Sequence, residues 1–90
     1  MSVSRTLKIV NEKGLHARAS ARFVEVVEKY DAQAEVEKDG MKVSGDSIMG
    51  LLMLAASRGT TIEVTTHGSQ ADALADALQA LVGDRFGEEN

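Results

Sequence analysis

The stretch RTLKIVNEKGLHARASARFVEVVEKY, Arg5 to Tyr30, changes its apolar period once, and that change decides the fold class. Over Arg5–Val10 the side chains alternate. Leu7 and Ile9 fall on one side and Thr6 and Lys8 on the other, which predicts a strand with one buried face. Asn11-Glu12-Lys13-Gly14 is polar and ends in glycine, so it reads as a loop. From His16 the spacing becomes helical. Ser20, Phe23, Val24, Val27 and Tyr30 recur at intervals of three and four and form one stripe, with Asp31 just past the end.

The same two periods alternate through the rest of the chain. Ala34–Lys38 predicts a second strand, and Asp39-Gly40 a tight hairpin turn, which needs positive φ at its centre. Met41–Ser44 returns as a third strand. Asp46 and Ser47 both offer capping oxygens to a helix over Ile48–Ser57, with Arg58 near its carboxyl end and Gly59 as its left-handed stop. Thr61–Thr66 alternates again. Ser69 or Gln70 opens a last helix whose stripe is Ala71, Leu74, Ala75, Leu78, Leu81 and Val82. Residues 84–90 are acidic and are expected to fray. The order predicts an α+β domain of two layers: a four-stranded, mainly antiparallel sheet covered on one face by three helices. The outward strand positions Thr6, Lys8, Glu35, Glu37, Thr61, Glu63 and Thr65 are polar, so the other face is expected to be wet.

Size and charge narrow the function. A chain of 90 residues supports one core, with about 5,000 Å² of accessible surface left after folding. The net charge of −4 and an aromatic set of Phe23, Tyr30 and Phe86 provide no cationic stacking platform, which argues against a nucleic-acid partner. With no cysteine there is no disulfide or thiolate metal site. His67 has no companion at ligand spacing, so it reads as a loop residue, and no metal or cofactor is expected. Glu25, Glu28, Glu35 and Glu37 read as solvated charge. No phosphate-binding loop, dinucleotide fingerprint or Ser-His-Asp order is present. The longest apolar run, Ile48–Ala56, is interrupted by Gly50 and falls short of the ~20 residues of a membrane span. A soluble cytoplasmic protein is the expectation.

Gly14-Leu15-His16-Ala17-Arg18 holds the chemistry. The first N–H groups of a helix lack internal acceptors and, with the helix dipole, favour an anion. An imidazole there can act as a nucleophile toward phosphorus, since the positive helix end favours its neutral form. A phosphoryl group on it would meet the Ala17 and Arg18 N–H groups and the Arg18 guanidinium, whose fork matches phosphate oxygens. A plain surface histidine beside a helix cap also fits this pattern taken alone.

This segment resembles the active-site segment of the HPr family, the small histidine phosphocarriers of the phosphoenolpyruvate-dependent phosphotransferase system. The similarity extends to Ser47-Ile48-Met49-Gly50-Leu51, to Arg58-Gly59 and to the element order, nearly the whole chain. It implies an open-faced β-sandwich, the HPr fold. It also implies a phosphoryl group accepted on His16 Nδ1 from enzyme I and passed to an EIIA-type protein, with Arg18 holding that group and aiding its release. Leu51-Leu52-Met53-Leu54, Ile62-Glu63-Val64 and the acidic tail around Phe86 resemble the NPr, or nitrogen-related, branch. Where the family usually has proline after the arginine, this chain has Ala19, which implies a less rigid first turn.

Two further implications concern the Ile48 helix. In many HPr proteins a serine at the Ser47 position is phosphorylated by HPr kinase/phosphorylase, whereas a plain cap explains Ser47 equally. The helix is apolar nearly all round, so it is either an unusually covered core helix or a docking patch. The resemblance favours a patch of Ile48, Met49 and Leu52, with Leu15 beside it and Arg22 as a basic rim. It would serve enzyme I and the acceptor in turn. Exchange with two partners suits a monomer. The rival readings are a regulatory module that has lost transfer chemistry, and a small anion-binding protein without covalent chemistry.

Overall fold

The computed structural model covers residues 1–90. Four strands form one sheet: β1 (Ser2–Lys8), β2 (Gln33–Lys38), β3 (Met41–Ser44) and β4 (Thr61–His67). Their order is β1-β4-β2-β3, and every neighbouring pair is antiparallel. Three helices, α1 (Ala17–Glu28), α2 (Ile48–Met53) and α3 (Ala71–Gly83), cover one face. The chain is an open two-layer α+β domain.

Alternation along the strands determines what the two layers enclose. Leu7, Ala34, Val36, Ile62 and Val64 point inward and meet Phe23, Val27, Leu51, Leu74 and Leu78 from the helices. A fully buried side chain of this size contributes about 1.5–3 kcal/mol. The opposite sheet face is polar, with Thr6 Oγ1 donating to Glu63 and Ser4 Oγ paired with Thr65 Oγ1 across the β1–β4 ladder. The β2–β3 turn places Asp39 at φ 50° and Gly40 at φ 83°, the positive pair that a two-residue hairpin demands.

The structure departs from the sequence expectation at several ends. β1 starts at Ser2 rather than Arg5, because Ser2, Val3 and Ser4 pair with His67, Thr66 and Thr65 although they show little apolar alternation. β2 begins one residue earlier than expected, at Gln33, and β4 ends one residue later, at His67. α2 stops at Met53 rather than Ser57. Leu54 caps it, and Ala55 takes φ 51°, so the chain leaves the helix there without a glycine. Gly59, expected to be the helix stop, belongs instead to the Ser57–Thr60 turn, where Thr60 N–H donates to Ser57 C=O at 3.1 Å.

The largest correction concerns the tail. Residues 84–90 do not fray. A 3-10 turn over Arg85–Gly87 buries Phe86 completely against the core, and Glu12 N–H donates to Asn90 C=O at 2.9 Å. One aromatic side chain outweighs the local acidity, because its burial secures the residues on either side.

Candidate functional site

The end of β1 and the start of α1 are tied down before His16 is reached. Ile9 N–H donates to Thr60 C=O at 2.9 Å, and Gly59 N–H donates to Ile9 C=O at 2.7 Å. The Asn11–Gly14 loop then closes on itself: Gly14 N–H reaches Asn11 C=O, and Asn11 Nδ2 donates to Gly14 C=O at 2.8 Å. Gly14 lies at φ +66°, and a Cβ there would sit 2.5 Å from Ala56 C=O. The close approach is used at once, since Leu15 N–H donates to that same carbonyl at 2.9 Å. α2 has already ended when the chain reaches this carbonyl.

His16 is the N-cap of α1, with φ −78° and ψ −176°, and its C=O accepts the first helical bond from Ser20 N–H at 2.8 Å. Its side chain takes the part that an aspartate or serine oxygen usually plays. Arg18 N–H donates to His16 Nδ1 at 3.3 Å. Arg18 N–H, expected to be free for a phosphoryl group, is therefore occupied by the ring itself. Ala17 N–H at the first helical position has no intrahelical acceptor. The imidazole is 28% exposed, enough to be reached from solvent and too little to swing freely.

The other ring nitrogen has a partner that periodicity could not reveal. His16 Nε2 lies 2.5 Å from Glu88 Oε2, and Asn11 Nδ2 donates to Glu88 Oε1 at 3.0 Å. Burial alone would raise the Glu88 pKa. The hydrogen bonds from His16 and Asn11 and the charges of His16 and Lys13 outweigh it, holding the carboxyl below its usual range. Asn11, read only as a loop residue, is fully buried, and its Oδ1 has no partner. The only sequence signal for Glu88 is Phe86, an aromatic within an acidic tail. His16, Arg18, Glu12, Lys13, Glu88, Glu89 and Asn90 line one open cleft, so Arg18 shares it with the ring.

Among the expected partner contacts, Ile48 and Met49 are well exposed and Leu52 partly so, and exposed Met53 joins them. Leu52 shares a shallow groove with Lys13, Leu15, His16 and Ala56, which makes the apolar patch continuous with the site. Leu15 itself is a correction: it is buried at 5% exposure, packed into the core, and has little surface to offer a partner. Arg22 is exposed and leans on the tail, where a Cβ on Gly87 would come 2.7 Å from its Nη1. Ser47, not Asp46, caps α2: its Oγ accepts from Gly50 N–H at 3.0 Å, while Asp46 accepts from Ser44 Oγ. His67 ends β4, exposed and far along the sheet from Ile9. No helix is long and apolar enough to cross a membrane.

Known proteins are similar to this chain over nearly its full length. The family model for the PTS HPr component phosphorylation site matches residues 3–84. The phosphocarrier protein HPr of Cupriavidus necator is 41% identical, covering 96% of this chain and 97% of its own. The phosphocarrier protein NPr of Shewanella violacea is 38% identical, covering 96% and 94%. The crystal structure of HPr from Thermoanaerobacter tengcongensis superposes with a TM-score of 0.93 at 39% identity, covering 98% and 99% of the two chains. Relatives of both names align about equally well, so the resemblance to the NPr branch is one the family level does not separate. The match in sequence and in the four-stranded open sheet runs over nearly the whole chain, and the chain belongs to the HPr family of phosphocarrier proteins of the phosphotransferase system.

Proposed function

We propose that His16 receives a phosphoryl group on Nδ1 from phosphorylated enzyme I and delivers it to an EIIA-type protein. The observation that carries this reading is the seat of Nδ1: it is held over the start of α1, facing Arg18 N–H, with Arg18 lining the same cleft. Phosphoryl transfer is governed mainly by position and charge. In the carrier, the lone pair now bonded to Arg18 N–H is redirected to phosphorus. Arg18 N–H, Ala17 N–H and the Arg18 guanidinium then lie beside the phosphoryl oxygens. The protein acts as a phosphotransfer component rather than a stand-alone catalyst, a reading its family membership supports. The exposed face of Ile48, Met49 and Leu52, with Arg22 at the rim, serves both partners in turn as a monomer in the cytoplasm. Overlap of the two contacts keeps each encounter brief.

The test uses the chain with phosphoenolpyruvate and enzyme I, followed by intact mass. Wild type is expected to gain one acid-labile phosphoryl group, and His16→Ala to gain none. No gain by wild type beside an active enzyme I overturns the carrier. The acceptor, and with it a role in sugar uptake or nitrogen-related regulation, is then assigned by which EIIA-type protein takes up the label. Ser47 is proposed as a phosphosite for HPr kinase/phosphorylase, because its Oγ stands at the start of α2 beside the exposed patch. A phosphate there adds about −1.5 to −2 charge without needing to unfold the helix. An unmodified Ser47 beside a modified control HPr ends that proposal.

A further inference from the structure

We infer that Glu88 is a positioning residue for the transfer reaction: its carboxylate, steadied by Asn11, holds the proton of the His16 ring on Nε2 and leaves the Nδ1 lone pair for phosphorus. The inference rests on the phosphocarrier reading of His16. Glu88 lies beyond residue 84, where the match to the family model ends, so that model does not assign it.

Two contacts on different ring nitrogens select the same proton arrangement. Arg18 N–H donates to Nδ1, which makes Nδ1 an acceptor without a proton. An ionised carboxylate at Nε2 accepts only, so Nε2 carries the proton. The carboxylate is itself oriented. Asn11 Nδ2 divides its two hydrogens between Gly14 C=O and Glu88 Oε1, and Asn11 is completely buried. Phe86 anchors the tail from the core side, and the bond from Glu12 N–H to Asn90 C=O closes it beyond Glu88. The lowered pKa of Glu88 agrees with a charged carboxylate at this place. A base, an imidazole and a third group that orients the base form the general arrangement by which proteins prepare a nucleophilic ring.

The chemistry balances without a proton transfer. On loading, the Nδ1 lone pair forms the new N–P bond. The donor's bond to phosphorus breaks, and its electron pair returns to the donor. The His16 ring keeps its Nε2 proton and carries a positive charge, which Glu88 offsets. On delivery the N–P bond breaks, its electron pair returns to Nδ1, and the ring departs as neutral imidazole. Without the Nε2 proton the ring would depart as an imidazolate, a far poorer leaving group. Glu88 therefore extends the working range of the phosphorylated carrier toward higher pH. The other charged groups facing the ring are Lys13 and Glu12 from the loop, Arg18 from α1 and Glu89 from the tail. Lys13 and Arg18 bring positive charge to the cleft, and Glu12 and Glu89 negative charge. Only Glu88 touches Nε2.

The experiment measures return of the phosphoryl group from the loaded carrier to unphosphorylated enzyme I between about pH 5.5 and 9. It compares wild type with Glu88→Ala and Glu88→Gln, all first checked for an unchanged fold. Relative to wild type, both variants are expected to transfer about three- to tenfold more slowly at the alkaline end and nearly equally at the acid end, since one charge beside the ring is removed. In proton–nitrogen spectra of the unphosphorylated carrier, the Nε2 proton is expected as a slowly exchanging low-field resonance in wild type and to be lost in Glu88→Ala. Variants that keep the wild-type pH profile, or that slow equally at every pH, overturn the role of Glu88 while leaving the carrier intact. A wild type that never loads overturns the carrier reading as well.

Discussion

At the scale of single residues, the ring of His16 is held from both sides by groups far apart in the chain. The backbone of Arg18 holds Nδ1, and residue 88 holds Nε2. The carboxylate side of this clamp has a pH signature in stability. The folded-state pKa of Glu88 lies below its ordinary value, so its contribution is present above the unfolded pKa of about 4.3 and disappears as pH falls through the folded value. Melting of wild type against Glu88→Gln is expected to show a gap at pH 7 that closes progressively below about pH 4. A gap that persists unchanged at pH 3 would contradict an ionised Glu88. Gly14 is a second residue with a sharp expectation. Its φ of +66° and the Ala56 carbonyl leave no room for a methyl group, so Gly14→Ala is expected to cost more than about 1 kcal/mol in chemical denaturation. It should also slow phosphoryl gain, because Leu15 and His16 follow directly. The identity of the capping histidine and its arginine was plain from the sequence; Asn11 and Glu88 were not, because neither lies in a local pattern that marks them.

At the scale of elements, α1 and the tail set the rigidity of the site. Ala19 is the third residue of α1, fully buried, at the position where the family usually has proline. Its N–H is among those with no intrahelical acceptor, so a proline there loses no helical bond. Ala19→Pro is expected to raise stability by about 0.4–1 kcal/mol through the unfolded state, read as a higher denaturant midpoint at unchanged m. The tail depends on one side chain. Phe86→Ala is expected to cost about 3–5 kcal/mol and to release Glu88 from His16. Hydrogen exchange at residues 84–90 measures the release; protection that survives the substitution would mean the tail is held by its hydrogen bonds. The helices and strands were legible because each carries a clean period. Their ends were less so. α2 stops at Met53, and the turn at Ala55 brings the Ala56 carbonyl to Leu15 N–H, a partner about 40 positions away.

At the scale of the whole molecule, the fold keeps its chemistry and its apolar patch on one side. Ile48, Met49, Leu52 and Met53 are exposed in a chain with few other large exposed apolar side chains, and the groove from Leu52 to His16 joins patch and ring. Replacing Met49 or Leu52 by aspartate is expected to slow phosphoryl gain from enzyme I at least tenfold, while stability moves by no more than about 0.5 kcal/mol. Equal rates in a stopped-flow assay would remove this face from the encounter. Lys13 and Arg18 share the cleft with Glu12, Glu88 and Glu89, and Arg22 lies against the tail, on a chain of net charge −4; charge-guided association is expected to weaken as salt rises.

The sequence by itself determined the order of the elements, the inward face of each strand and helix, the hairpin at Asp39-Gly40 and the histidine–arginine pair at a helix start. Each of these follows from near neighbours, because backbone period, turn chemistry and capping act over a few residues. Tertiary structure alone decided that the acidic tail docks, that Asn11 and Glu88 reach the far side of the His16 ring, that Leu15 is core and that α2 ends early. Those outcomes depend on where distant segments come to lie. A buried Phe86 or a carbonyl offered by Ala56 gains its partner only once the layers have closed.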